Sequence, residues 1–168
     1  MRLPEDIRKK IINLDDLEKI REDYKDKKIV FSGGCWDLFH LGHALFISQC
    51  KKHGDIHVVG VGRDSTLKKL KGNKRPIFPE LNRLAMVACL KDVDYTLLTE
   101  ELIDNSDIKN ILKKLKPDIF TVCEEDIMAI NAEKGLCKEL GIEMRLVPRI
   151  RVNPSSTREI IQKIKENG

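Results

Sequence analysis

The sequence predicts an α/β protein, a single doubly wound domain of about five parallel strands with flanking helices, and three observations predict it. Short apolar, β-prone stretches alternate with longer segments of helical periodicity along the chain. A glycine pair, Gly33-Gly34, stands where the first apolar stretch runs into a helix, beyond the carboxyl end of a strand, where an open α/β sheet takes its ligand. A chain of 168 residues is also one ordinary domain, long enough to bury roughly 70% of its unfolded surface around one core.

Residues 1–27 read as a helical extension packed on the domain, and 28–168 as the domain itself. Within the extension, Asn13 precedes Leu14-Asp15-Asp16-Leu17 and caps a short amphipathic helix running to about Tyr24. Strands are placed over 28–32, 56–61, 95–98, 119–122 and 144–147. Helical patterns fill 42–53, 79–90, 106–115 and 128–140, with Gly141 as the stop of the last. Ser156-Thr157-Arg158-Glu159 has the S-x-x-E spacing of a capping box ahead of Ile160, Ile161 and Ile164, so a final helix starts there. The stretch from Arg63 to Arg75, with Lys68, Lys69, Lys71, Lys74 and a single acid, Asp64, reads as a basic loop.

A net charge of +4 with 35% charged residues is a mixed surface, too mild to imply nucleic acid without a clustered face. The basic stretch carries no interleaved aromatics, which also argues against single-stranded nucleic acid. Five cysteines without a C-x-x-C pair, and no apolar leader, suggest a reducing cytoplasm. No run approaches the eighteen apolar residues of a membrane span. A soluble cytoplasmic protein with no membrane or nucleic-acid partner is the expectation.

The chemistry lies in three pieces. The first is Gly33-Gly34-Cys35-Trp36-Asp37-Leu38-Phe39-His40-Leu41-Gly42-His43. Glycines without Cβ atoms let a ligand approach the backbone, the following helix presents free N–H groups, and His40 and His43 can share one side of its first turn. An anion is the expected occupant. The same residues also permit a D-x-x-H-x-x-H metal site formed by Asp37, His40 and His43, although His53 and His57 look peripheral. The second piece is Lys69-Leu70-Lys71-Gly72, two flexible ammonium groups suited to a polyphosphate. The third is Arg151-Val152-Asn153-Pro154-Ser155-Ser156-Thr157, where capping hydroxyls and free N–H groups can hold phosphate oxygens.

The first piece resembles the G-x-F-D-x-x-H-x-G-H signature of nucleotidyltransferases that include cytidylyltransferases and heptose-1-phosphate adenylyltransferases, with Trp36 at the usual phenylalanine. Residues 62–79, with L-K-G and R-P, look like the second-strand exit of the heptose-1-phosphate enzymes. Arg83 matches an arginine opening their next helix, although Leu81 replaces an acid. The third piece is similar to R-x-x-x-x-S-T, with Pro154 where glycine is common. The glycine-rich element usual after the fourth strand is replaced by Val122-Cys123-Glu124-Glu125-Asp126.

This resemblance implies a nucleotidyltransferase domain over 28–168. It would move a nucleoside monophosphate from a nucleoside triphosphate, ATP first, to a phosphorylated sugar or small alcohol, releasing pyrophosphate. It implies catalytic His40, His43, Lys69, Lys71 and Arg151, with Asp37 orienting His40. Nucleotide contacts would come from Gly34, Cys35, Trp36, Asp37, His40, His43, Lys71, Arg151, Ser155, Ser156 and Thr157, and acceptor contacts from Lys69 and Arg83. Magnesium would arrive with the nucleotide, and a homodimer is the common assembly. A CTP-dependent enzyme for a phosphorylated alcohol and a non-catalytic nucleotide sensor are the alternatives.

Overall fold

A computed structural model describes residues 3–99, 106–154 and 156–167. The strands are β1 (Ile29–Gly34), β2 (Ile56–Gly62), β3 (Tyr95–Thr99), β4 (Ile119–Cys123) and β5 (Glu143–Val147). They form one parallel sheet in the order β3-β2-β1-β4-β5. Ile29, Val30, Phe31 and Ser32 are fully buried, because a central parallel strand is covered on both faces and so reads as an unbroken apolar run. β1 runs on through the glycine pair, with Gly33 opposite Gly60 and Gly34 opposite Val61.

The helices are α1 (Glu5–Arg8), a 3-10 turn (Leu14–Asp16), α2 (Leu17–Asp23), α3 (Leu41–Lys51), α4 (Asp64–Lys71), α5 (Glu80–Ala88), α6 (Ser106–Leu115), α7 (Ile127–Leu140) and α8 (Thr157–Asn167). Alternate residues of the strands serve two cores. Phe31, Val58 and Leu97 pack with Leu17, Ile111, Leu112 and Leu115, and Val59 and Val61 pack with Trp36, Ile47, Leu84 and Val87. The chain before β1 is part of this fabric: Leu17 is fully buried, and Ile12 N–H and Lys10 C=O bond with Thr96 on the edge of the sheet.

Two expectations change. Arg63 to Arg75 is largely helix, not loop. In α4 Thr66 and Leu67 are buried, Asp64 lies in the first turn and three lysines in the last, which suits the helix dipole. The density of charge hid that short amphipathic pattern. The turn Glu5–Arg8 after Pro4 also forms a helix where none was placed. The stop at Gly141 holds, its φ of 68° being left-handed.

β1 is flanked by β2, which follows it through α3, and by β4, which follows β3 and α6. The carboxyl ends of β1 and β4 therefore bound the switch point where an open α/β sheet takes its ligand. The described residues contain no helix long and apolar enough to cross a membrane.

Candidate active site

The turn out of β1 is built under backbone strain. Trp36 and Leu38 hold φ of 54° and 46°, conformations that cost non-glycine residues about 1–3 kcal/mol and collect at functional sites. Trp36 offsets part of this by burying its ring in the second core and donating Nε1–H to Gly60 O at 2.8 Å. Gly34 has no alternative there, since a Cβ would stand 2.7 Å from the indole. Trp36 was expected at the nucleotide; at 3% exposure it supports the loop from inside.

His40 is the N-cap of α3, extended at φ −134° and ψ 170°. Its N–H donates to His43 Nδ1 at 3.4 Å while His43 N–H donates to His40 O at 2.9 Å. The two rings stack at 3.8 Å and 21°, and Trp36 meets His43 edge-on. Burial, the neighbouring His40, Lys71 and Arg149 together push His43 down to about 3. Burial and Arg149 lower His40 as well, against Glu159. His43 is therefore neutral at pH 7. With Nδ1 accepting from the backbone, the tautomer assigned by this network puts the proton on Nε2, a neutral donor.

Asp37 was expected to orient His40, or to join the histidines around a metal. Its carboxylate is 1% exposed and is otherwise engaged. Arg75 Nε donates at 2.7 Å, and Ile77 and Phe78 N–H at 3.0 Å, with Leu38 N–H on Oδ1. Burial alone would raise its pKa; the Phe78 and Ile77 N–H groups and Arg75 hold it below the usual carboxylate value. Those donors leave Asp37 fitted to clasping the 75–78 segment. Among the described residues, no three His, Cys, Asp or Glu side chains group as metal ligands.

Arg83, expected at the acceptor, is fully buried in α5. It donates to Cys35 O at 2.5 Å, Phe78 O at 2.9 Å and Asp64 Oδ1 at 2.7 Å, so it presents no surface to a ligand in this structure.

The basic piece also changes. Lys69 and Lys71 are exposed on one helix, and residues two apart on a helix do not face the same way. Lys71 is the one whose charge bears on His43.

From the far end of the chain, Thr157 Oγ1 donates to Asp37 O at 2.8 Å, and Ser156 Oγ caps Glu159 N–H at 3.2 Å. The N-terminus of α8 thus meets the β1 turn; Ser155 lies outside the described residues. Arg151 is 85% exposed, 3.5 Å from Glu125, while Arg149 is 3.4 Å from the other oxygen of the same carboxylate. Arg149, whose charge depresses both histidines, was missed in the sequence, as was Arg75. The signal for Arg149 was its place directly after Pro148 at the exit of β5; for Arg75 it was the R-P step itself.

The sequence model of the cytidylyltransferase-like family matches residues 31–163. The Bifunctional protein HldE of Campylobacter fetus subsp. fetus is 36% identical over 157 residues, which are 94% of this chain and 32% of that protein. That of Helicobacter pylori strain P12 is 46% identical over 104 residues, 62% of this chain and 22% of that protein. The chain thus spans a third or less of the length of these curated relatives. Among solved structures, the lipopolysaccharide core biosynthesis protein from Thermoplasma volcanium is 32% identical, covers 75% of this chain and 98% of its own, and superposes with a TM-score of 0.61. A pantoate-beta-alanine ligase from Francisella tularensis, 21% identical, covers 93% of this chain and 77% of its own with a TM-score of 0.65, a likeness of fold.

Proposed function

The chain belongs to the cytidylyltransferase-like family, and from that premise we propose that it transfers a nucleoside monophosphate from a nucleoside triphosphate, ATP first, to a phosphorylated sugar, releasing pyrophosphate. The reading is supported most by the stacked pair His40–His43 on the turn after β1, which the α8 N-terminus meets through Thr157 and on which the charges of Lys71 and Arg149 bear. Neutral imidazole donors, cations and free N–H groups without a nucleophile–base pair suit the handling of phosphate rather than acyl or glycosyl chemistry.

A phosphate oxygen of the acceptor attacks the α-phosphorus of the nucleotide. The new P–O bond forms as the bond to the bridging oxygen breaks, and pyrophosphate leaves with that electron pair. The attacking phosphomonoester is largely a dianion at neutral pH, so no protein base has to take a proton. What the chain contributes is alignment and stabilisation of charge on the transferring group and on the departing pyrophosphate. His43 Nε2–H and His40 donate to phosphate oxygens. Lys71 follows the triphosphate, and Arg149, Arg151, Ser156 and Thr157 hold its β/γ end. Lys69 serves the acceptor from the other side of α4. Cys35 contacts the nucleotide, while Gly34, Trp36, Asp37 and Arg83 act by positioning.

Magnesium would supply counter-charge to the phosphates and would enter with the nucleotide; among the described residues Asp37 is clasped by Arg75 rather than free to hold it.

A sugar phosphate is favoured over an alcohol phosphate by the likeness to a lipopolysaccharide core biosynthesis protein, because building a glycan consumes nucleotide-activated sugars. The resemblance to family members further implies a homodimer, which light scattering after gel filtration would test.

The deciding experiment incubates the protein with magnesium, each of the four nucleoside triphosphates, and a library of sugar and alcohol phosphates, and identifies products by mass. An ADP-sugar with stoichiometric pyrophosphate is the expected result. A CDP-linked alcohol would replace both substrates. Nucleotide binding without pyrophosphate release from any pair would make the protein a sensor and overturn the reading.

A further inference from the structure

Both ends of α4 are tied by guanidinium–carboxylate pairs to the turn that carries the histidines. We propose that Arg75 is a positioning residue which, through Asp37, holds Lys71 at the phosphate site. The inference rests on the assignment of Lys71 to the triphosphate made above.

At the C-terminal end, three residues separate Lys71 from Arg75, whose Nε and Nη2 lie 2.7 and 2.5 Å from Asp37 Oδ2. The Arg75 side chain is 14% exposed and that of Asp37 1%. At the N-terminal end, Asp64 Oδ1 accepts Arg83 Nη2 at 2.7 Å, and the same guanidinium donates to Cys35 O at 2.5 Å. Asp64 N–H is further held by Glu80 Oε2 at 2.8 Å. The basic helix is therefore suspended between residues 35 and 37, two ends of one short turn.

The need for the C-terminal tie is visible at Gly72. This residue turns the chain with φ of 87°, and a Cβ placed on it would meet nothing within 4 Å. Glycine leaves the turn conformationally permissive, and Gly72 O accepts Arg75 N–H at 3.0 Å, so the turn that follows α4 closes on Arg75 itself. The Arg75 side chain then enters the Asp37 clasp and ties that turn to the histidine loop. The directed Nε–H bond gives that tie orientation, and the charge of Nη2 close to the same oxygen gives it strength. A lysine on a long flexible stem aligns a moving phosphate only if its helix is held still, and a misplacement of about 1 Å can cost on the order of 10²-fold in rate. Buried ion pairs contribute little net stability but can fix an arrangement, which is the use proposed here.

A double-mutant cycle between Arg75→Gln and Lys71→Ala tests the link, with ATP and CTP affinity in magnesium measured by titration calorimetry and folding checked by circular dichroism. Arg75→Gln is expected to weaken binding about tenfold when Lys71 is present and less than twofold when it is absent. Arg75→Lys, which keeps the charge but not the fork, should recover part of the loss, and it carries the test if the glutamine variant does not fold. Equal losses in both backgrounds, or unchanged affinity in folded Arg75→Gln, overturn the proposal alone. An unchanged affinity in Lys71→Ala instead refutes the assignment of Lys71, and the proposal with it.

Discussion

The imidazoles of His40 and His43 lie face to face at 3.8 Å, so the first turn of α3 presents them as one surface on which a charge on either ring opposes a charge on the other. With burial and the nearby cations, that keeps His43 neutral far below the ordinary histidine range. A neutral donor needs no proton from solution at pH 7 and loses none above it.

His43→Ala should lower turnover by roughly 10² to 10³, the scale for losing one preorganised donor, with the fold intact by circular dichroism. Steady-state pyrophosphate release measures it. In the same assay, kcat/KM of the wild type, which reports groups of the free enzyme, should show no loss between pH 7 and 9. A decline with a midpoint near 6.5 would mean that an imidazolium is required.

Acid should weaken the fold in a definite window. His57 is fully buried, with its Nδ1 3.0 Å from Asp92 O and its Nε2 2.8 Å from Ser32 Oγ, and burial pushes it down to about 4. The unfolded imidazole binds its proton near 6.5, so the unfolded chain gains protons that the folded one refuses. The contribution is whole above pH 6.5 and is lost as pH falls toward 4, on the order of 3 kcal/mol for this residue. Urea midpoints at pH 7.5 and 4.5 read it, and His57→Asn should flatten the difference.

Glu125 bridges Arg149 and Arg151 at 3.4 and 3.5 Å across an exposed surface, where such pairs are worth about 0–1 kcal/mol. A triphosphate reaching those arginines displaces a weak competitor. Glu125→Gln should therefore lower the KM for nucleotide by about two- to fivefold and strengthen inhibition by pyrophosphate, with kcat little changed. A raised KM would show that the carboxylate holds the arginines in place for the nucleotide.

Gly34→Ala should destabilise the protein by about 1–3 kcal/mol, the range for overpacking, because the added methyl stands 2.7 Å from the Trp36 ring. Thermal unfolding reads the loss. Trp36 is the sole tryptophan, so a red-shifted emission would report its displacement directly.

The strands and most helices were legible because they rest on local pattern: the run Ile29–Val30–Phe31 for a doubly covered strand, Gly141 for a helix stop, Ser156 ahead of Glu159 for a cap. The histidine turn was legible for the same reason, its residues being neighbours in sequence. The basic helix was not, since six cations in thirteen residues outweigh two buried side chains in any reading of composition.

By itself the sequence determined a parallel sheet and the chemical character of the site, because the periodicity of buried residues and the kinds of donors are properties of the chain. Only the tertiary structure decided which polar groups face outward. Asp37 and Arg83, read as groups for a ligand, lie inside with Arg75, Cys35 and Asp64 as partners, and the charge of Arg149 bears on both histidines. A charged side chain taken out of water has to find an opposite charge or a donor, and which one it finds depends on segments tens of residues away that only the folded chain brings together.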